Sequence, residues 1–524
     1  MKEIAGKTLA QLCLYSAAKY KNRIAFAMFS DGQISKRITY AQFGSRACQI
    51  GSILRRMGVK NGDRVLLLSE NCSQWPLAYF GIALAGAVSV PLLTGFSPEQ
   101  IQHIAEHSQV KAVCVSGAMA EKIKNSVVSH LPSICIDNLT EQNDFKEDIY
   151  VSENPDELAA IIYTSGTQGI SKGVMLSSGN LISSTLSSLA FEKMYPNDRI
   201  LSVLPLAHSY ECSLGLLAPV ISGASVTYLD RPPSASILLP AVKVIRPTAI
   251  FSVPLLIEKI YNNAIAPKLR NSKLYKFSFT RPLAIWFAGR KLISALGGRI
   301  RAFGIGGAPL SPEVEEFLYK ARFPYTIGYG LTEAAPLIAG NTPLRYSHKA
   351  GIGAAKGVEI RIAKCTTDAD EGEIQVRGPN IMLGYFNDIE RTAEAFTSDG
   401  WLRTGDLGRI EKKGRLHVRG RLKALILGPS GENIYPEEIE SLLISSQIVE
   451  ESVVFLGKKG ELVALVTLNE AAKAAAGVVE NTLEELRSWV NKKLAVFSRL
   501  SKIEIRNEPF EKTPTMKIKR YLYV

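Results

Sequence analysis

A chain of 524 residues with 46% hydrophobic residues and a mean hydropathy of +0.07 is too long for one core and too apolar to be disordered, so several folded domains are expected. Its seven cysteines are scattered and never spaced C-x-x-C, which argues against a disulfide framework or a zinc site and for a reducing compartment. The net charge of +13 points to an acidic partner such as a nucleotide or an anionic membrane. Nucleic acid is not expected, because no helix-turn-helix, RNA-recognition or zinc-finger pattern accompanies the charge.

The first residues show no apolar h-region, so a cytoplasmic location is expected, with peripheral membrane contact as an addition to it. To about residue 300, short apolar runs alternate with helical patterns. Residues 63–69, 110–116, 158–163 and 249–254 each read as a buried strand flanked by helices, which predicts α/β architecture with mostly parallel sheets. Residues 75–96 contain no charge and are long enough for a membrane span. Pro76, Pro91 and the small residues between them predict instead a buried helix followed by a strand at 88–93.

Residues 268–301 hold nine Lys and Arg and no Asp or Glu, interleaved with Tyr275, Phe277, Phe279, Trp286 and Phe287. That is the pattern of a membrane-surface segment, with an ordinary solvated basic face as its alternative. Beyond about Gly351 the texture changes to alternating strands and turns, as at 357–362 and 372–378, which predicts a small β-rich unit. From about Lys423, strands at 453–456 and 462–468 mix with an amphipathic helix over 482–494, its start set by the capping pair Thr482 and Glu485.

Residues 163–176 pack Gly166, Gly169 and Gly173 around Thr164, Ser165, Thr167, Gln168, Ser171 and Lys172. Glycines let backbone N–H groups approach an oxyanion, hydroxyls add donors and lysine adds a point charge, so the stretch reads as a phosphate cradle. It is not G-x-x-x-x-G-K-[ST], because Lys172 stands three residues after Gly169 and is followed by Gly173. Residues 328–333 place a hydroxyl, Thr332, and a carboxylate, Glu333, just past a predicted strand, where ligands of α/β sheets collect. Residues 401–407 offer Asp406 in a glycine turn, suited to accepting from sugar hydroxyls. Arg421 and Lys423 put two cations at the change of texture, and Lys517 ends the chain behind a tight turn.

In this order and spacing the motifs resemble the adenylate-forming (AMP-binding) superfamily of acyl-CoA synthetases, adenylation domains and luciferases, over nearly the whole chain. Residues 204–211, 252–261, 306–314 and 513–520 are most similar to long-chain fatty acyl-CoA synthetases. The resemblance implies an α/β fold: an N-terminal domain, 1–422, of two α/β subdomains plus a β-barrel, and a small mobile α+β C-terminal domain, 423–524. It implies that Thr164, Ser165, Gly166, Thr167, Gln168, Gly169 and Lys172 hold the outer phosphates of ATP. Gly307, Ala308, Pro309 and Tyr329 would frame adenine, Thr332 would touch the α-phosphate, Glu333 would bind Mg2+, and Asp406 and Arg421 would hold ribose. Lys517 would reach between carboxylate and α-phosphate, and His208 would stand at the acyl-adenylate junction beside an acyl pocket of Tyr210, Val253 and Pro254. Lys423 would be the hinge, and Gly431, Glu432 and Asn433 would line the CoA channel.

The implied activity is ATP-dependent ligation of a medium- to long-chain fatty acid to CoA through an acyl-AMP, with pyrophosphate released. Acyl carrier protein as acceptor, an aryl acid as substrate, and a non-catalytic nucleotide- or membrane-binding relative are the alternatives. The order Tyr210-Glu211-Cys212-Ser213 stands where amino acid-activating domains usually carry Phe-Asp-x-Ser, which counts against an amino acid substrate. Gln168, Ser171, Ala424 and Met516 depart from the residues most common in the family at their positions.

Overall fold

The computed structural model describes residues 3–124, 126–138, 148–165, 171–342, 351–364, 370–427, 433–446, 448–457, 460–474, 479–513 and 517–523. Two large sheets dominate. In the nine-stranded sheet the six inner strands run parallel, in the order Tyr325–Gly330, Ala302–Gly306, Ala249–Ser252, Arg199–Leu201, Ser225–Leu229 and Ile24–Ser30. In the seven-stranded sheet Leu158–Ser165, Val88–Leu92, Arg64–Leu68, Val110–Val115 and Ser133–Cys135 are parallel, while Ser171–Ser177 and Gly384–Tyr385 close one edge antiparallel. Strands built from unbroken Val, Ile and Leu runs need both faces covered, and the helices between the sheets supply that cover.

The uncharged stretch at 75–96 is core. Helix Trp75–Leu84 has Trp75, Leu77, Phe80, Ile82 and Leu84 fully buried, and strand Val88–Leu92 follows it into the sheet. A Cβ on Gly81 would sit 2.6 Å from Ile50 Cβ, so the glycine lets this helix lie against Tyr40–Arg56. Phe80 meets Phe43 edge-on at 5.2 Å between ring centroids. Burying such rings contributes roughly 2–3 kcal/mol each. Among the described residues no helix is long and apolar enough to cross a membrane.

The β-rich unit is an antiparallel four-stranded sheet ordered Glu359–Lys364, Gly372–Arg377, Leu402–Ile410 and Leu416–Arg421. The C-terminal part sets Val449–Leu456, Leu462–Leu468 and Lys502–Ile505 in a separate three-stranded sheet with its own core around Ile439, Leu443, Leu486 and Val490. Its helix spans Val479–Asn491, so it starts earlier than the Thr482 cap predicts and ends before Leu494. Leu483, Leu486 and Val490 form an apolar stripe that marks the helix face without marking its first residue, and Thr482 sits inside the helix. Cys13, Cys48, Cys72, Cys114 and Cys212 are buried and outside any disulfide, and Cys365 lies outside the described residues.

Candidate active site

The predicted phosphate loop is the tip of the hairpin Leu158–Ser165 and Ser171–Ser177, in which Thr164 pairs with Lys172 and Ser165 with Ser171. Gly166, Thr167, Gln168 and Gly169 lie outside the described residues. Lys172 Nζ stands 4.9 Å above the ring of Tyr385, and the Tyr385 hydroxyl donates to Glu333 Oε1 at 2.9 Å. Tyr385 reaches this place because Gly384–Tyr385 pairs with Val174 and Met175 along the edge of the same hairpin. One tyrosine thus joins the lysine of the loop to a carboxylate from another sheet. Burial, and the negative charge of Glu333, push its phenol well above the ordinary range.

Glu333 and Thr332 lie on the 3-10 turn Thr332–Ala334 that follows strand Tyr325–Gly330, at the carboxyl end of the parallel strands. A Cβ on Gly330 would stand 1.9 Å from the Pro336 carbonyl, so only glycine admits the sharp return of the chain there. Thr332 is buried, with its hydroxyl 3.3 Å from Ser209 Oγ. Gly307 takes a φ of +85°, and it forms with Ala308 and Pro309 an exposed ledge just past strand Ala302–Gly306.

Asp406 lies in the middle of strand Leu402–Ile410, which corrects its reading as a turn residue; Gly405 supplies a local kink with φ +67°. Asp406 and Arg421 are cross-strand partners, with Arg421 Nε 3.0 Å from Asp406 Oδ1. Tyr329 donates its hydroxyl to Asp406 Oδ2 at 2.7 Å. Burial raises the Asp406 carboxyl above its usual range, against the pull of Arg421 and of the Tyr329 hydrogen bond.

Lys517 comes from the far end of the chain into electrostatic range of Arg421, Asp406, Glu437, Glu333 and His208. Its side chain keeps access to solvent, yet desolvation and then Arg421 lower its pKa, while the three carboxylates draw it back. The Lys517 loop is pinned by paired bonds: Lys517 N donates to Thr513 Oγ1 at 3.2 Å, and Thr513 N donates to the Lys517 carbonyl at 2.7 Å. Arg520 then anchors the loop with two 2.7 Å contacts to the buried Glu440.

His208 caps the short helix Ser209–Glu211, and its Nδ1 accepts from Tyr210 N at 3.2 Å. The proton of the neutral ring therefore rests on Nε2. Desolvation, with the charge of Lys517, lowers its pKa to about 4. Tyr210 packs against Phe251 at 6.4 Å between centroids, over Gly304, where a Cβ would be 2.6 Å from Phe251 and 3.1 Å from the Tyr210 hydroxyl. Val253 and Pro254 follow directly and start the helix Pro254–Ile260. The two rings therefore pack directly on Gly304, where a side chain would displace them.

Lys423 lies on the 3-10 turn Leu422–Ala424 between the β-rich unit and the C-terminal part. Gly431 and Glu432 lie outside the described residues, and Asn433 begins the short strand Asn433–Ile434. The structure adds residues that motif reading missed. Tyr385 belongs to no recurrent pattern, Ser209 stands inside the stretch 204–211 without being singled out there, and Glu437 joins the site only because its helix Pro436–Ser445 docks beside Arg421. No spacing in the sequence could have found them.

Comparison with known proteins gives the family. The model of the AMP-binding enzyme matches residues 14–386, and the model of the AMP-binding enzyme C-terminal domain matches residues 438–517. Long chain acyl-CoA synthetase 7, peroxisomal, of Arabidopsis thaliana is 32% identical over 80% of this chain and 67% of its own length. The 4-coumarate–CoA ligase 3 of Oryza sativa subsp. japonica is 27% identical over 98% of this chain and 91% of its own. The structure of o-succinylbenzoate CoA synthetase (MenE) from Bacillus subtilis in complex with ATP and magnesium ion superposes with a TM-score of 0.78 at 26% identity, covering 97% of this chain and 98% of that one. The chain belongs to the AMP-binding family of adenylate-forming enzymes and is an acid–CoA ligase of that superfamily.

Proposed function

We propose that the protein is an AMP-forming fatty acid–CoA ligase. The observation that carries this reading is the arrival of Lys517 beside Asp406, Arg421, Glu333 and His208, at the open ends of the parallel strands. A carboxylate is a poor acyl donor because its leaving group would be oxide. Attack of its oxygen on the α-phosphorus of ATP expels pyrophosphate and leaves AMP as a weakly basic leaving group. Such transfer depends on positioning and charge neutralisation.

In this reading Thr164, Ser165, residues 166–169 and Lys172 hold the outer phosphates, and Gly307, Ala308, Pro309 and Tyr329 frame the base. The Asp406–Arg421 pair presents acceptor and donor to the ribose, and Thr332 meets the α-phosphate. Glu333 keeps one oxygen beyond its bond from Tyr385, and a lone carboxylate completed by substrate phosphates is a ligand set that suits Mg2+. The ion, when bound, offsets phosphate charge. Lys517 bridges the carboxylate and the α-phosphate, and neutral His208 offers its Nε2–H toward the acyl carbonyl. Thioester formation then needs different groups near that carbonyl. A pivot at Lys423, dividing 1–422 from 423–524, withdraws Lys517 and brings residues 428–433 to line a path for the CoA thiol. A cytoplasmic location accords with this use of ATP and CoA.

A fatty acid is favoured by the apolar packing of Tyr210 on Phe251 beside His208 and by the likeness to a long-chain synthetase. The near full-length likeness to a 4-coumarate ligase supports an aryl acid as the second reading. Purified protein supplied with ATP, Mg2+ and CoA is tested over acids from acetate to arachidate and with 4-coumarate, with acyl carrier protein as a rival acceptor. Thioester and AMP greatest with medium or long chains are expected. Preference for 4-coumarate sinks the fatty-acid reading, and preference for carrier protein moves the acceptor.

A further inference from the structure

Strand Ala249–Ser252, which carries Phe251, leads into a helical run that leaves the site. Pro254–Ile260, the π-helical Tyr261–Ile265 and Ala266–Arg270 follow one another without a break, about 25 Å of helix at ~1.5 Å per residue. The run ends in the basic stretch, where Lys273–Lys276 forms a short helix and Arg281–Ala295 a long one. The long helix is apolar on two faces. Ala284, Ile285 and Leu292 are buried against the domain, as amphipathic packing requires. Leu283, Trp286 and Phe287 point the other way and are 48%, 38% and 47% exposed. They recur at i, i+3 and i+4 and are continued by Arg290, so they form one outward stripe.

Beside this stripe Phe277 and Phe279 stand 61% and 81% exposed. An aqueous surface rarely gathers five large apolar side chains in eleven residues, and such clusters mark contact sites. The charge around them has one sign. Lys273, Lys276, Arg281, Arg290 and Lys291 are exposed and, among the described residues, none makes an ion pair with a carboxylate. Arg270 and Arg301 are excluded from the count because Glu313, Asp198 and Glu192 hold them. Arg281 and Arg290 lie over the rings of Tyr275 and Trp286 at 5.1 and 6.0 Å, where stem and ring enter an interface together.

We propose that the surface of residues 273–291 docks the protein on anionic lipid bilayers, with Phe277, Phe279 and Phe287 entering the headgroup region and the lysines and arginines meeting lipid phosphates. Aromatic rings with basic side chains match an interface that is apolar below and negative above. A folded acidic protein would match the charge and leave the protruding phenylalanines without an apolar bed. The docking proposal does not rest on the fatty-acid reading.

The test is sedimentation of the full-length protein, without substrate, on vesicles of phosphatidylcholine alone and of phosphatidylcholine with phosphatidylserine. The expected result is at least tenfold tighter binding to the anionic vesicles, weakened by salt. The variant Phe277→Ser/Phe279→Ser/Phe287→Ser and the variant Lys273→Glu/Lys276→Glu/Lys291→Glu are each expected to lose at least tenfold in binding. Both are expected to retain full turnover of a short, water-soluble acid. Equal binding to both vesicles, or unchanged binding by both variants, overturns docking. So does loss of binding to acyl carrier protein with vesicle binding intact, which would assign the surface to a protein partner. Absence of all ligase activity with docking intact strikes the function and spares the surface.

Discussion

Asp406 is buried at 6% exposure, and the Arg421 guanidinium and the Tyr329 hydroxyl both address it. Replacing it by Asn removes the charged acceptor offered to ribose hydroxyls as well as the counter-charge of the half-exposed Arg421, and a hydrogen bond to a charged group contributes roughly 1.5–3 kcal/mol. Asp406→Asn is expected to raise the KM for ATP some thirtyfold or more while the protein stays folded, as steady-state kinetics and thermal melting will read together. Glu211 poses a different residue-scale question. It is fully buried next to Tyr210, accepts from the Ser202 hydroxyl at 2.5 Å, and its pKa is pushed up to about 8 by burial. In the fold it therefore keeps a proton that the unfolded chain has already lost. Stability from this group is fully present below the ordinary carboxylate pKa of about 4.5 and is lost as pH rises to about 8. The loss is on the order of 4 kcal/mol. Glu211→Gln is expected to flatten the melting temperature between pH 5 and 8 and to raise it at the upper end; an unchanged pH profile would show that Glu211 is charged in the fold.

At the scale of elements, the loop that carries Lys517 is held by its return strand. The bridge Lys512–Ile518, the Lys519–Glu511 pair at 3.2 Å and the two contacts from Arg520 to Glu440 all lie within that loop or tie it to the C-terminal core. Arg520→Ala should loosen the loop without touching substrate. Adenylation is expected to fall about tenfold while transfer from a supplied acyl-adenylate stays near normal; parallel loss of both would mean that the C-terminal unit itself has failed. Elements were the most legible level of the sequence. Apolar runs located the strands Arg64–Leu68, Val110–Val115 and Leu462–Leu468 because a strand covered on both faces leaves an unbroken signal. The start of helix Val479–Asn491 was misread because a Thr–x–x–Glu pattern occurs inside helices as readily as at their ends. Asp406 was found by its motif and misplaced in a turn, since Gly405 signals a kink whether the strand stops or continues. Tyr385, Glu437 and the approach of Ser209 to Thr332 were not legible, because they come from strand edges and packing that join distant segments.

At the scale of the whole molecule, the C-terminal part meets the rest through a cluster that the proposed pivot at Lys423 would break. Arg419 contacts Glu371 at 2.9 Å and Glu438 at 3.3 Å, and Tyr435 donates to Glu371. Glu371 and Arg419 precede Lys423, whereas Tyr435 and Glu438 follow it, so the cluster favours the orientation in which Lys517 is in the site. Partly exposed pairs contribute about 1 kcal/mol, or roughly a fivefold shift between orientations. Arg419→Ala is expected to slow adenylation by a few fold and to speed the thioester step relative to it, as single-turnover measurements of each step will show.

The central claim is that one site serves two reactions and that Lys517 belongs to only the first. The direct test follows Lys517→Ala through both, measuring pyrophosphate release from ATP with fatty acid, and thioester formation from supplied acyl-adenylate and CoA. Adenylation should fall by roughly two to three orders of magnitude, the loss typical of a group that stabilises transition-state charge, and transfer should persist at close to the unmodified rate. Equal loss in both steps, or adenylation left intact, would contradict the account.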